Sequence, residues 1–142
     1  MAAIERTASS LWRGELKSGS GTISASSGVL RDAPFSYATR FENARGTNPE
    51  ELIAAAHAAC FSMAFANYLS MQGHRPLEIA TQATITLENG VIGKMHLATT
   101  GRVPGMSEAA FRDYAAEAEK KCPVSNLLRA GLKITLEASL NP

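Results

Sequence analysis

The chain has 142 residues, of which 45% are hydrophobic and 19% charged, so it can build a core and has the usual size of one domain. We predict a single domain over residues 1–142. Its 14 basic and 13 acidic side chains nearly balance, which gives no reason to expect nucleic acid or an anionic membrane as a partner. The N-terminus lacks the apolar segment of an export signal. We therefore expect a reducing, cytoplasmic location, where a lasting disulfide is unusual.

Short strands are predicted in the first third of the chain. Residues 14–28 are rich in Gly and Ser, which is typical of turns that join short strands, and residues 22–24 are a strand candidate among them. Residues 36–41 are a further strand candidate. A small sheet is therefore expected before the first long helix.

A long helix is predicted from Pro49 to about Gln72. Asn48 is a good N-cap, proline suits the first helical position, and Glu51 at the third position completes a pattern like a capping box. Gly73 is a suitable stop. The helix is rich in Ala and apolar nearly all round, so we expect it to be buried on most faces. Its longest apolar run is shorter than a membrane span requires, which favours a core helix.

The second half of the chain predicts a hairpin, a helix and a closing strand. Strands over residues 79–87 and 91–103 are separated by a turn containing Asn89-Gly90, a strong hairpin signal. Ser107 can cap a helix that ends at Lys121. Its buried face is predicted to include Phe111, Ala115, Ala118 and Cys122. Residues 132–140 alternate again, so the order of elements is α+β.

The two cysteines lie in unlike contexts. Cys60 is inside the long apolar helix, and Cys122 is at a helix break before Pro123. Buried cysteines usually act as small hydrophobic residues, so two inert thiols are one interpretation. The alternative is redox chemistry, in which one thiolate attacks and the other resolves the product.

A reactive Cys60 needs a cation from elsewhere in the sequence. It lies about 15 Å along the helix from the N-terminus, beyond the range of the helix dipole. Apolar surroundings would raise its pKa. Sequence physics alone does not choose among the arginines. Cys122 differs, because a short helix over residues 123–129 would place its sulfur near N-terminal amides.

His57 shares a helix face with Cys60, three positions later. It can be a general base, a metal ligand, or a core histidine satisfied by a carbonyl or water. A lone His-x-x-Cys is weak evidence for zinc, because structural sites usually have four protein ligands.

Two long motifs resemble the OsmC/Ohr family of organic hydroperoxide reductases. Residues 46–64, around Cys60, resemble the signature helix of that family, and residues 121–125 resemble its second cysteine motif. Four shorter segments extend or refine the resemblance. Residues 11–14 and 28–30 extend it to the N-terminal region, and residues 39–42 and 56–60 are more similar to the OsmC branch than to the Ohr branch.

The resemblance implies a thiol-dependent peroxidase without metal or other cofactor. Cys60 then matches the peroxidatic cysteine, Cys122 the resolving cysteine, and Glu50 the acidic residue of the active site. We assign Arg40 as the arginine that activates the thiolate, and Glu50 as the residue that positions its guanidinium. The implied partners are an organic hydroperoxide and an external dithiol, of lipoyl type by resemblance.

The resemblance also implies an intertwined homodimer, with a curved antiparallel sheet wrapped around a long buried central helix. Helix geometry agrees with a dimer, because Glu50 and Cys60 are about 15 Å apart along one helix and cannot touch. They would share a site across two subunits, or through a bridging arginine of the same subunit.

Further alternatives concern the mouth of the site and the activity itself. Three apolar side chains of the helix can line an apolar mouth or pack in the core: Phe61, Met63 and Phe65. The alternative to an enzyme is a non-catalytic stress protein that responds to redox state or metal.

Overall fold

The computed structural model describes all 142 residues, which form two compact units, Met1–Leu52 and Ile53–Pro142. Both sheets and the helices belong to an α+β fold, as predicted. The prediction that residues 1–142 make one domain stays a prediction.

The first unit is built on a three-stranded antiparallel sheet. Strands β1 (Ala8–Arg13), β2 (Ser20–Ala25) and β3 (Ala33–Phe35) lie side by side in that order. Trp12 of β1 packs on Phe35 of β3, with ring centroids 5.4 Å apart. The strand predicted at residues 22–24 is confirmed as part of β2.

The strand predicted at residues 36–41 is wrong, because this segment is the short helix α1 (Tyr37–Phe41). Ser36 and Thr39 form a reciprocal capping box, in which each side chain accepts a hydrogen bond from the other residue's backbone amide. Tyr37 and Phe41 are one turn apart, and their ring centroids are 4.9 Å apart. These local interactions outweigh the strand propensity of the segment.

Helix α2 (Pro49–Met71) begins and ends close to its predicted limits. The Glu51 amide donates to Asn48 Oδ1 at 2.8 Å, so Asn48 is the N-cap. The Glu51 carboxylate accepts from the Thr47 hydroxyl. At the other end, Gly73 has φ +84°, the left-handed conformation that favours glycine.

The second unit contains a three-stranded sheet of mixed direction. Strands β4 (Glu78–Glu88) and β5 (Val91–Arg102) form the predicted antiparallel hairpin around Asn89-Gly90, whose φ angles are both positive. Strand β6 (Lys133–Leu140) pairs with β5 in parallel.

Within this α+β fold, the expectation of one curved antiparallel sheet is corrected in two respects. There are two sheets, and the second has one parallel pair. Parallel pairing requires a long crossover, which helices α3 (Glu108–Lys121) and α4 (Pro123–Leu128) provide between β5 and β6. Ser107 caps α3 as predicted, accepting from the Ala110 amide at 3.1 Å.

One stripe of α2 lies in the core of the second unit. Four residues at intervals of one turn are fully buried there: His57, Phe61, Phe65 and Leu69. Phe65 packs against Phe111 of α3, with ring centroids 4.9 Å apart. The predicted buried face of α3 is confirmed, because Phe111, Ala115, Ala118 and Cys122 all have 0% exposure.

The opposite stripe of α2 is open in the single chain. Ala55, Ala59 and Asn67 are exposed, and Met63 retains 75% of its accessible surface. Contrary to the expectation from its longest apolar run, the whole helix is long and apolar enough to cross a membrane by length and composition, and 28% of its most apolar window is buried. The prediction that α2 is buried on most faces is therefore not confirmed within a single chain.

Candidate active site

The two thiols are brought together within the second unit. Cys60 is on α2, and Cys122 is both the C-cap of α3 and the N-cap of α4. Their Sγ atoms are 3.4 Å apart, and both cysteines are reduced. Cys122 is fully buried, whereas Cys60 is partly exposed. The more accessible thiol is thus the one on the long helix, and its neighbour is sheltered behind it.

The surroundings of Cys60 raise the pKa of its thiol above the ordinary value. Burial is the main cause, and the hydrogen bond and charge of the adjacent Cys122 thiol act in the same direction. A hydrogen bond from the Val124 backbone amide opposes them. Val124 is in the first turn of α4, so this short helix directs an amide to the Cys60 sulfur. The sequence had suggested such amides for Cys122.

His57 lies in the core, three residues before Cys60 on α2. Its Nε2 is 2.7 Å from Ser125 Oγ, and both residues have 0% exposure. Its Nδ1 is buried without a hydrogen-bond partner. Burial lowers the His57 pKa; the carboxylate of Glu119 raises it and the guanidinium of Arg129 lowers it further. The histidine is therefore neutral at pH 7. Its Nε2 pairs with a side-chain hydroxyl, a partner that the sequence analysis did not predict.

The second predicted pair, Arg40 and Glu50, forms within the first unit. Arg40 Nη2 and Nε donate to Glu50 Oε1 at 2.6 and 3.0 Å. The Glu50 side chain is 8% exposed and that of Arg40 is 37% exposed. Burial opposes ionisation of Glu50, but the hydrogen bonds and charge of Arg40 and a backbone hydrogen bond prevail and lower its pKa. The carboxylate thus fixes a partly accessible guanidinium.

An aromatic pocket of about 380 Å³ borders Arg40 in the first unit. Its wall includes four aromatic side chains: Trp12, Phe35, Tyr37 and Phe41. The mouth predicted from α2 is different, because Phe61 and Phe65 have 0% exposure and pack in the core. Met63 is exposed and remains available to line a surface.

Sequence reasoning missed Val124 and Ser125 as neighbours of the α2 residues. Both follow Pro123 in the second cysteine motif, and that motif was the only signal for them. Nothing in the local pattern pairs Ser125 with a histidine 68 positions earlier. No group of three or more His, Cys, Asp or Glu side chains that could hold a metal ion occurs in the structure.

Comparison with known proteins assigns the amino-acid sequence to a family. The model of the OsmC-like protein family matches residues 42–137, which include both cysteines and Glu50. The chain belongs to the OsmC-like family. This confirms the resemblance to the OsmC/Ohr proteins that the two cysteine motifs indicated.

Two relatives of known name agree with this assignment. Peroxiredoxin OsmC of Escherichia coli K12 is 43% identical over 141 residues, 96% of this chain and 97% of that protein. An organic hydroperoxide resistance protein of Xanthomonas axonopodis pv. citri is 31% identical over 64% of this chain and 66% of that protein.

Among solved structures, an organic hydroperoxide resistance protein of Elizabethkingia anophelis superimposes with a TM-score of 0.73 at 25% identity. The match covers 99% of this chain and 100% of that one. The OsmC/Ohr-like fold is thereby confirmed, and the greater identity to Peroxiredoxin OsmC agrees with the predicted branch.

Proposed function

We propose that this chain is a cysteine-based peroxidase that reduces organic hydroperoxides to alcohols, and hydrogen peroxide less well. The observation that carries the proposal is the 3.4 Å approach of two reduced thiols, Cys60 and Cys122, in an OsmC-like chain. The names of the relatives, peroxiredoxin and organic hydroperoxide resistance protein, favour this activity over a non-catalytic stress protein.

In the proposed reaction, Cys60 is the peroxidatic residue. Its thiolate attacks the terminal peroxide oxygen and the O–O bond breaks, so that the Cys60 sulfur becomes a sulfenic acid. The other oxygen leaves as an alkoxide, which takes a proton from solvent to give the alcohol. The Cys122 thiol then attacks that sulfur, a disulfide forms, and the sulfenic oxygen leaves as water with the thiol proton. An external dithiol reduces the disulfide by thiol–disulfide exchange. A lipoyl-type dithiol is the class we propose.

Arg40 and Glu50 have the roles of activation and positioning in this proposal. Since burial raises the Cys60 pKa, a thiolate at neutral pH requires a cation, and the single amide of Val124 supplies only a partial charge. Arg40 can supply it because Glu50 holds its guanidinium while part of it stays accessible. The aromatic pocket beside Arg40 offers an apolar surface for the organic group of the peroxide.

We also propose that the protein is a homodimer. The exposed stripe of α2 contains Ala55, Ala59 and Met63, and an apolar helix face of this kind is usually covered in a soluble protein. A second copy of α2 is the occupant that suits a stripe of small residues. Because the opposite stripe packs in a globular core, we interpret α2 as a core helix and not as a membrane span. We propose a cytoplasmic location and, from the near balance of basic and acidic side chains, no nucleic acid as a partner.

The test compares turnover of cumene hydroperoxide, tert-butyl hydroperoxide and hydrogen peroxide, with dihydrolipoamide and thioredoxin in turn as reductant. Organic peroxides should be consumed fastest, and dihydrolipoamide should sustain turnover. One equivalent of cumene hydroperoxide should also link Cys60 to Cys122 within a chain. Peptide mapping that finds both thiols free, or only links between chains, would contradict the proposal.

A further inference from the structure

We infer that the buried hydrogen bond between His57 and Ser125 is a positioning device for the resolving step, resting on the proposed function of the two cysteines. His57 precedes Cys60 by three residues on α2, and Ser125 follows Cys122 by three residues on α4. The bond therefore joins the two helices beside their thiols. It sets how closely α4, whose N-cap is the resolving cysteine, approaches α2, which contains the peroxidatic one.

The contact has the properties that such a role requires. It is 2.7 Å long, and both side chains have 0% exposure, so water does not compete for either partner. With Nδ1 unpartnered, Ser125 is the sole hydrogen-bond partner of the His57 ring. Loss of the Ser125 hydroxyl would leave the whole imidazole unsatisfied in the core, and the helices would have to shift to admit water.

The chemistry of resolution is sensitive to such a shift. The two sulfurs are 3.4 Å apart in the reduced protein, and a disulfide requires about 2.05 Å. Closure by roughly 1.3 Å has to occur while the Cys60 sulfur carries an oxygen. A misplacement of 1 Å at a reacting centre can cost about a hundredfold in rate. The first step takes place at Cys60, with Arg40 as the proposed cation, and does not require the two sulfurs to close. A shift of α4 reaches that step only through the Val124 amide.

Other contacts of α4 with α3 do not replace this bond. Arg129 donates to Glu119 at 2.9 Å, and Asn126 Nδ2 donates to the Lys120 carbonyl at 3.1 Å. Both contacts fix α4 to α3, the helix that precedes it. The other hydrogen bonds between α4 and α2, from the Val124 amide and from the Cys122 thiol at the N-cap of α4, end on the reacting Cys60 sulfur itself. The His57–Ser125 bond connects the two helices without involving a thiol, so it can persist while the sulfurs react.

The experiment follows the two steps separately in the full-length protein after mixing with one equivalent of cumene hydroperoxide. Sulfenic acid is trapped with dimedone, and disulfide is measured by mass spectrometry over time. Ser125→Ala should form the disulfide about 10- to 100-fold more slowly. Sulfenic acid formation should slow much less, because α4 contributes only the Val124 amide to the first step. Ser125→Thr keeps the hydroxyl and should restore much of the rate.

Ser62→Ala is the matched control, because Ser62 is also on α2 and loses a 2.8 Å hydroxyl bond, but to Thr81 of β4. Its disulfide should form at the wild-type rate. Equal slowing in Ser62→Ala, or no slowing in Ser125→Ala, would overturn the inference. If Ser125→Ala does not fold, His57→Gln is measured in the same way. A wild-type protein that forms no disulfide would instead contradict the proposed function.

Discussion

The reactivity of Cys60 depends on groups that its own helix does not provide. The residue is too far from the N-terminus of α2 to benefit from the helix dipole, and burial raises its pKa. The Val124 amide from α4 opposes this shift, and the remaining stabilisation of a thiolate has to come from a full charge. Cys122 is more deeply buried and suits the later step, in which the attack is on an adjacent sulfur.

The two cysteines should therefore fail in different ways when replaced. Cys60→Ser should lose turnover, because serine is a far weaker nucleophile at neutral pH. Cys122→Ser should react once with peroxide and then accumulate sulfenic acid, which proceeds to sulfinic acid with excess peroxide. Mass spectrometry with dimedone distinguishes these species. A Cys60→Ser protein that still reacts once would reverse the proposed roles.

Arg40 is expected to set the pH at which Cys60 becomes reactive. Because a nearby cation favours the thiolate, Arg40→Ala should raise the Cys60 pKa and move the midpoint of alkylation to higher pH. Each pKa unit corresponds to about 1.4 kcal/mol of lost differential stabilisation. The midpoint is measured with iodoacetamide, beside single-turnover peroxide kinetics.

Two further arginine variants make this test specific. Arg40→Lys should rescue poorly, because an ammonium cannot hold the Glu50 carboxylate and a peroxide with one planar group. Arg45→Ala, at an exposed position in the same unit, is the control and should leave the profile unchanged. If the profile of Arg40→Ala equals that of wild type, another cation activates Cys60.

At the scale of elements, the Arg40–Glu50 pair connects α1 to the first turn of α2. Since the Glu50 pKa is lowered in the folded chain, the pair contributes stability above the ordinary glutamate pKa of about 4.3. That contribution is lost as the pH falls through the lowered value.

Glu50→Gln should therefore destabilise the protein at pH 7 by about 1.5–3 kcal/mol, the usual range for a hydrogen bond to a charged group. The difference from wild type should shrink as the pH falls below about 4.3. Urea unfolding at several pH values measures it. Glu51→Gln, at the exposed neighbouring position, is the control. A difference between Glu50→Gln and wild type that persists at low pH would assign the effect to packing.

The elements differ in how far the sequence predicts them. The limits of α2 were predictable because they depend on local signals, such as Asn48 before the helix and Gly73 after it. Helix α1 was not, because five residues are too few to show a helical period, although Ser36 and Thr39 form a capping box. The parallel direction of β6 leaves no trace in its alternating pattern.

The site shows the same division between local and long-range information. The cysteines and Glu50 could be identified because two long motifs carry them, and the Arg40–Glu50 contact was expected from their roles. The contact of Val124 with Cys60, and that of Ser125 with His57, depend on how α4 packs on α2. Packing between elements distant in sequence is not encoded in local spacing.

At the scale of the whole molecule, the open stripe of α2 leads to a prediction about assembly. Ala59→Glu places a charge in the middle of that stripe, and burial of an unpaired carboxylate is costly. The variant should sediment as a monomer under conditions in which the wild type is a dimer. Ala116→Glu, at an exposed position of α3, is the matched control and should remain dimeric. A dimeric Ala59→Glu protein would place the interface elsewhere.

Mixing two inactive variants decides whether one site uses residues of two chains. Glu50 and Cys60 are about 15 Å apart along α2, so Glu50 and the arginine it holds could serve the thiol of a second chain. In that case, a mixed dimer of Cys60→Ser and Arg40→Ala chains has one site with both residues intact and one site with neither. Since half of randomly formed dimers are mixed, activity should recover to about a quarter of wild type after unfolding and refolding the chains together. If Arg40 serves the cysteine of its own chain, every site in the mixture lacks one residue, and no activity should return. The Ala59→Glu substitution in both chains is the control, because it should abolish the recovery by preventing the dimer from forming.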